Sequence, residues 1–278
     1  MTHGARDMSQ PPILADKHYD APSVFTPDGL LREARRQKRI AASSVPRVCV
    51  LDPDGDVVQH LIAEHRAWRV ESWACYHTDL YQFETAGCNV GVVGRAVGAP
   101  FAVLVAEELF ASGCELLLSI TSSGQIGSLR PPPYFVLIER ALRDEGTSYH
   151  YLPPGTWSTA DEALLKRAAR ALSGSGQCVE RGATWTTDAP FRETSEAIVA
   201  AEKSGVVAVE MEAAALYAFA TARRKAVLCI AHVTNQMGRV EGDFEKGEAA
   251  GASDALMLIA RLAAAWSPAQ ETSTAAAK

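Results

Sequence analysis

Alternation is the strongest constraint on this chain. Short apolar runs bounded by Gly, Pro or Asp take turns with longer segments of helical spacing. The runs predict strands at residues 47–51, 88–93, 115–120, 150–152, 205–209 and 226–233. The longer segments predict helices at 57–65, 100–112, 134–145, 159–173, 193–203, 212–223 and 248–266. One further helix opens after Thr26, which can cap it. Pro27 suits its first turn and Asp28 complements its dipole. Its basic face (Arg32, Arg35, Arg36, Lys38, Arg39) reads as a solvated surface. Strands alternating with helices predict an α/β fold. No Gly-, Ser- or Pro-rich linker interrupts the middle. The expected organisation is therefore an arm and helix over 1–45, one α/β domain over 46–267 and a disordered tail over 268–278.

Composition removes several alternatives. The chain has 47% hydrophobic and 22% charged residues, which is not the signature of disorder. No apolar run is expected to reach the ~20 residues of a membrane span. The start, MTHGARDMSQPP, lacks the apolar core of a secretory signal. A net charge of −6 disfavours a protein that covers nucleic acid phosphates. The six cysteines are scattered without a C-x-x-C pair, so reduced thiols in a cytoplasmic protein are expected, with neither disulfides nor zinc. No metal or other cofactor is called for.

Five segments can carry chemistry. In VAVEMEAAAL an apolar strand runs into Glu210-Met211-Glu212 and then a helix. A carboxylate at the carboxyl end of a strand can accept hydrogen bonds from both hydroxyls of a diol. Acids at a helix start also simply favour the dipole, and the residues alone leave both readings open. In LLLSITSSGQ a strand ends in small hydroxyls and a glycine, Ser122-Ser123-Gly124. Their backbone N–H groups can face an oxyanion, although an ordinary turn explains them equally. In VLDPDGDVV a turn carries Asp52, Asp54 and Asp56. Pro53 and the missing distal Glu exclude a calcium loop. GATWTTDAPFRET can wall a pocket with Phe191 and Arg192. IAHVTNQ ends a strand in Asn235, whose amide offers both a donor and an acceptor.

Taken in order, these segments resemble the nucleoside phosphorylase family. The likeness is to its hexameric purine nucleoside and uridine phosphorylase branch and to the related methylthioadenosine/adenosylhomocysteine nucleosidases. EMEAAAL is the most specific match, and the resemblance runs from Arg47 to Trp266. It implies a single-domain, three-layer α/β/α fold with a central mixed, partly barrel-like sheet. It also implies cleavage of a nucleoside N-glycosidic bond through an oxocarbenium-like sugar. By the same resemblance Met211 packs under the ribose, Glu212 binds its hydroxyls, and Glu210 and Ser122 stand beside them. Phe191, Arg192 and Gly124 fall at the base. Asn235 falls where the purine enzymes carry a general acid, which suggests a 6-oxopurine preference if purines are the substrate. A homodimer or hexamer with shared active sites is implied, with no nucleic acid or membrane partner.

The acceptor is where this chain departs from the family. Phosphorolytic members gather arginines around phosphate. Here Asp56 and Ser119 align at two such places, and 75–79 has no Arg at the third. A carboxylate facing a dianion is costly. The nucleosidases instead carry a water-activating acid in the first turn, where Asp56 aligns. Water is thus slightly preferred over phosphate. Arg95, Ser122, Ser123 and His77 (with His18 or Tyr19 from a neighbour) are the residues that could still hold phosphate. A family member that binds a nucleoside or nucleotide as a sensor or scaffold, without turnover, is the alternative.

Overall fold

The computed structural model describes residues 11–266, so the predicted tail over 268–278 lies outside the described residues. Helix α1 (Pro27–Lys38) begins as expected, with Thr26 Oγ1 accepting from Gly29 N–H at 3.1 Å. There follow β1 (Val48–Asp52), α2 (Asp56–Ala63), β2 (Trp68–Arg69), β3 (Tyr81–Thr85), β4 (Cys88–Gly94), α3 (Ala99–Ala111) and β5 (Leu116–Gln125). Next come β6 (Tyr134–Asp144), β7 (Trp157–Thr159), α4 (Glu162–Leu172), β8 (Val179–Thr187), α5 (Ser195–Lys203) and β9 (Val206–Glu210). The chain ends with α6 (Ala213–Arg223), β10 (Ala226–Asn235) and α7 (Ala252–Trp266).

The strands form one mixed sheet in the order β10-β6-β8-β9-β5-β1-β4-β3-β2, with β7 paired to β6. A further pairing of β10 with β5 closes β5, β10, β6, β8 and β9 into a five-stranded barrel. Strands β4, β1, β5 and β10 run parallel, so their carboxyl ends open on one side. Strand β9 meets β5 antiparallel at Gly124 and Gln125, which brings Glu210 to the same region. Helices α3 and α6 bury one face of the sheet, through Val103, Leu109, Leu216 and Phe219. Helices α2, α4 and α7 bury the other, through Leu61, Leu165 and Ile259. The three-layer α/β/α arrangement with a partly barrel-like sheet is therefore present.

Some predicted elements differ. Residues 134–145 form strand β6 rather than a helix. Tyr134 to Ile138 are buried without a break, because a barrel strand is covered on both faces and so lacks the period of two. Residues 150–152 form no strand and follow a 3-10 turn, Thr147–His150. Strands β2, β3, β7 and β8 are additional to those predicted. The predicted helix at 248–266 starts as a 3-10 turn, Glu248–Gly251, before α7. Contrary to expectation, Glu248–Trp266 is long and apolar enough for a membrane span, with mean hydropathy 1.2. Its apolar side, however, packs on α2 and α4 in the core.

Candidate active site

The carboxyl ends of β1, β5, β9 and β10 bring the singled-out segments together. The β1 turn begins with Asp52, which is buried and accepts from Val58 N–H at 3.0 Å. Burial raises its carboxyl to about 7. Asp52 thus ties the end of β1 to the first turn of α2. Asp54 Oδ2 reaches across to accept from Ser122 N–H at 2.7 Å, tying the β1 turn to the end of β5. Ser122 Oγ lies 2.7 Å from Thr234 Oγ1 on β10. Asp56 is half-buried, and its Oδ2 lies 2.6 Å from Lys246 Nζ. Lys246 also lies 3.6 Å from Asp54 Oδ1.

The two glutamates separate sharply. Glu210 Oε1 accepts from Thr184 Oγ1 at 3.0 Å and Thr186 Oγ1 at 2.5 Å, and its Oε2 from Glu212 and Ala213 N–H, each at 2.7 Å. Burial pushes this carboxyl up, while Thr186 and the backbone amides hold it back. It fastens β8 and β9 to the start of α6, and each of its oxygens already accepts two hydrogen bonds. Glu212 Oε1 accepts from Gly98 N–H at 2.7 Å. Its Oε2 is buried and has no hydrogen-bond partner among the described residues. Burial, then the neighbouring Glu210, raises Glu212 to about 8. An unpaired carboxyl oxygen at a strand end suits a diol. Met211, half-buried, lies between the two acids.

Asn235 ends β10 and is buried. Its Nδ2 donates to Ser123 O at 3.3 Å and Thr234 Oγ1 at 3.2 Å, and its Oδ1 accepts from Met237 N–H at 2.9 Å. Both amide hydrogens are engaged, leaving acceptor capacity at Oδ1. Gly124 pairs with Asn235 across the sheet, and a Cβ there would come within 2.7 Å of Met237 Cγ. Ser123 is buried beside them, its Oγ donating to Thr121 O at 3.3 Å.

The remaining predicted residues are exposed. Phe191 is 98% exposed on a 3-10 turn, Pro190–Arg192, and Arg192 is exposed with it. Neither walls a base pocket within this chain, because the turn projects into solvent. His77 is also exposed, its ring edge-on to Phe101 of α3 at 6.4 Å. Arg95 is exposed but stays at the acidic turn. Its N–H donates to Asp52 O at 3.0 Å, and a Cβ at Gly55 would come within 3.0 Å of its Cγ.

Two participants were not singled out by sequence. Lys246 lies 190 residues from Asp56 in a polar loop. His232 stacks on Phe135, ring centroids 4.3 Å apart, and burial lowers it to about 4, so it is neutral near pH 7. A strand-end histidine in IAHVTN was the only sign of the latter.

The fold and the site define an α/β protein whose carboxylates, hydroxyls and one amide converge at the carboxyl ends of a half-closed sheet. The chain belongs to the Phosphorylase superfamily, whose family model matches residues 47–264. It is 27% identical over 208 residues to a guanosine phosphorylase of Halorubrum lacusprofundi, covering 75% of this chain and 78% of the relative. Its fold is similar to a uridine phosphorylase structure from Vibrio fischeri, with TM-score 0.67 and 20% identity, covering 80% of this chain and 91% of that one. It is also similar to a 5′-methylthioadenosine/S-adenosylhomocysteine nucleosidase structure from Neisseria meningitidis, with TM-score 0.64 and 20% identity, over 79% and 99% of the two chains.

Proposed function

We propose that this protein cleaves the N-glycosidic bond of a nucleoside and passes the sugar to water. In this reading Glu212 Oε2 takes the ribose hydroxyls and Met211 packs beneath the sugar. Asn235 Oδ1 accepts from a donor on the base. Asp56 orients the attacking water and receives its proton.

The observation that carries the choice of water is the Lys246–Asp56 ion pair at 2.6 Å. The lysine beside the β1 turn already answers a carboxylate, and Asp54 stands beside it. A phosphate dianion would enter against two acids and have to draw that lysine away. Phosphate is the second reading. Arg95 beside Gly55 favours it, as does the name of the guanosine phosphorylase relative. A homodimer or hexamer with shared sites belongs to either reading, on the family resemblance.

The test is to offer inosine, adenosine, uridine and methylthioadenosine with and without phosphate, and to identify the sugar product. Free sugar without phosphate is expected. Turnover that requires phosphate overturns the choice of water. Calorimetric binding with no turnover of any substrate overturns the enzymatic reading in favour of a sensor.

A further inference from the structure

Residues 236–251 form a strap from the end of β10 to α7, and the strap is pinned at three points. Asp243 accepts from Gln236 N–H at 2.9 Å and from Gly238 N–H at 2.8 Å, drawing its first half into a ring. Lys246 then reaches the β1 turn through Asp56 and Asp54. Finally Gly251, at φ +80°, passes against the His232 ring. A side chain at Gly251 would clash with that ring and come within 2.8 Å of the Lys246 carbonyl oxygen. The position of Lys246 is therefore set by the backbone as well as by its charge. Asp54 is held in turn by Ser122 N–H. Under the strap remains a cavity of about 20 Å³, lined by Asp54, Asp56, Ser122, His232 and Lys246 among others. A space of that order holds about one water molecule while Lys246 stays in place.

We propose that Lys246 is the specificity-determining residue for the acceptor. Its ion pairs with Asp56 and Asp54 withhold its ammonium from phosphate. This rests on the reading of the protein as a water-using nucleosidase. Removing the Asp56 charge leaves Lys246 with only the longer Asp54 contact at 3.6 Å, so its ammonium can turn to phosphate as a charge-assisted donor, and it removes one repelling carboxylate. Phosphate, supplied as the co-reactant, can then attack. An oxygen of hydrogen phosphate forms the bond to the anomeric carbon, the carbon–nitrogen bond breaks, and its electron pair leaves with the base, which takes up the proton that the phosphate gives up.

The experiment compares four proteins on the best nucleoside substrate, scoring free sugar against sugar 1-phosphate as inorganic phosphate is raised. Wild type is expected to give free sugar at a rate that phosphate does not raise. Asp56→Asn is expected to lose hydrolysis about a hundredfold and to gain phosphate-dependent sugar 1-phosphate. Adding Lys246→Met to Asp56→Asn removes that gain, and Lys246→Arg alone keeps the wild-type discrimination. Nucleoside binding measured by calorimetry shows that each variant is folded. Sugar 1-phosphate from wild type overturns the choice of water. A product ratio unchanged in Asp56→Asn, with wild type hydrolytic, overturns the role of Lys246 alone.

Discussion

Thr186 Oγ1 donates a 2.5 Å hydrogen bond to Glu210 Oε1 and accepts from Ala214 N–H at 2.9 Å. The pair locks β8 to the first turn of α6, the turn that carries Glu212. The two glutamates of the EMEA element therefore do different work. Glu210→Ala leaves two hydroxyls and two backbone amides without their acceptor. It is expected to cost about 3 kcal/mol or more of folding free energy. Glu212→Ala, which frees one amide, is expected to cost less yet abolish nucleoside binding. Denaturant melts and binding calorimetry on both variants check this. Equal losses of stability would remove the distinction.

Titration of Glu212 and Asp52 makes a second prediction. Glu212 rises from 4.5 to about 8 on folding and Asp52 from 3.8 to about 7. Both hold a proton in the folded state that the unfolded chain has released. Their contribution is therefore full below pH 4 and is lost as pH rises through 7 and 8. His232 acts oppositely, falling from 6.5 to about 4, so its contribution is lost as pH drops below 6.5. Above pH 7 only the carboxyls remain. The melting temperature of the ligand-free protein should fall between pH 7 and 8, and Glu212→Gln should flatten that limb. A slope unchanged in Glu212→Gln would contradict the assignment.

Gly251 offers a third test. Alanine there is strained at φ +80° and meets the His232 ring. A cost of about 2 kcal/mol is expected, with the strap displaced from the β1 turn. The His232 ring resonances should move toward those of a solvent-exposed imidazole, while those of residues in α4, remote from the strap, stay in place. Unchanged His232 resonances would mean that the strap does not depend on this contact.

Much of this was legible in the sequence. The strand-to-turn pattern picks out Asp56, Ser122 and Asn235, which follow or lie on the parallel strands β1, β5 and β10, while Glu212 joins them through the antiparallel pairing of β9 with β5. Strand β6 was not legible, since burial on both faces erases the alternation that marks a strand. The division of labour between Glu210 and Glu212 was hidden, because it depends on Thr184 and Thr186, which come from another strand. Lys246 was hidden for the same reason, as its partners lie in the first turn of the domain. Phe191 and Arg192 were singled out by their chemistry, yet chemistry does not say whether a loop folds inward.

Asn235 supplies the last prediction. Its Nδ2 faces Ser123 O and Thr234 Oγ1 as a donor. Aspartate has the same shape but places an oxygen opposite the Ser123 carbonyl. That contact is repulsive unless the carboxyl keeps its proton, and the site is buried, so the neutral form is favoured. In Asn235→Asp that proton lies toward Ser123 O, the second oxygen faces the base as an acceptor as in wild type, and ionisation at higher pH sets a charge against the Ser123 carbonyl. The variant's rate should fall as pH rises through the pKa of the new acid, a limb that wild type lacks. Rate profiles for inosine and adenosine across pH 5 to 9 measure this. Superimposable wild-type and Asn235→Asp profiles would place the base elsewhere in the site.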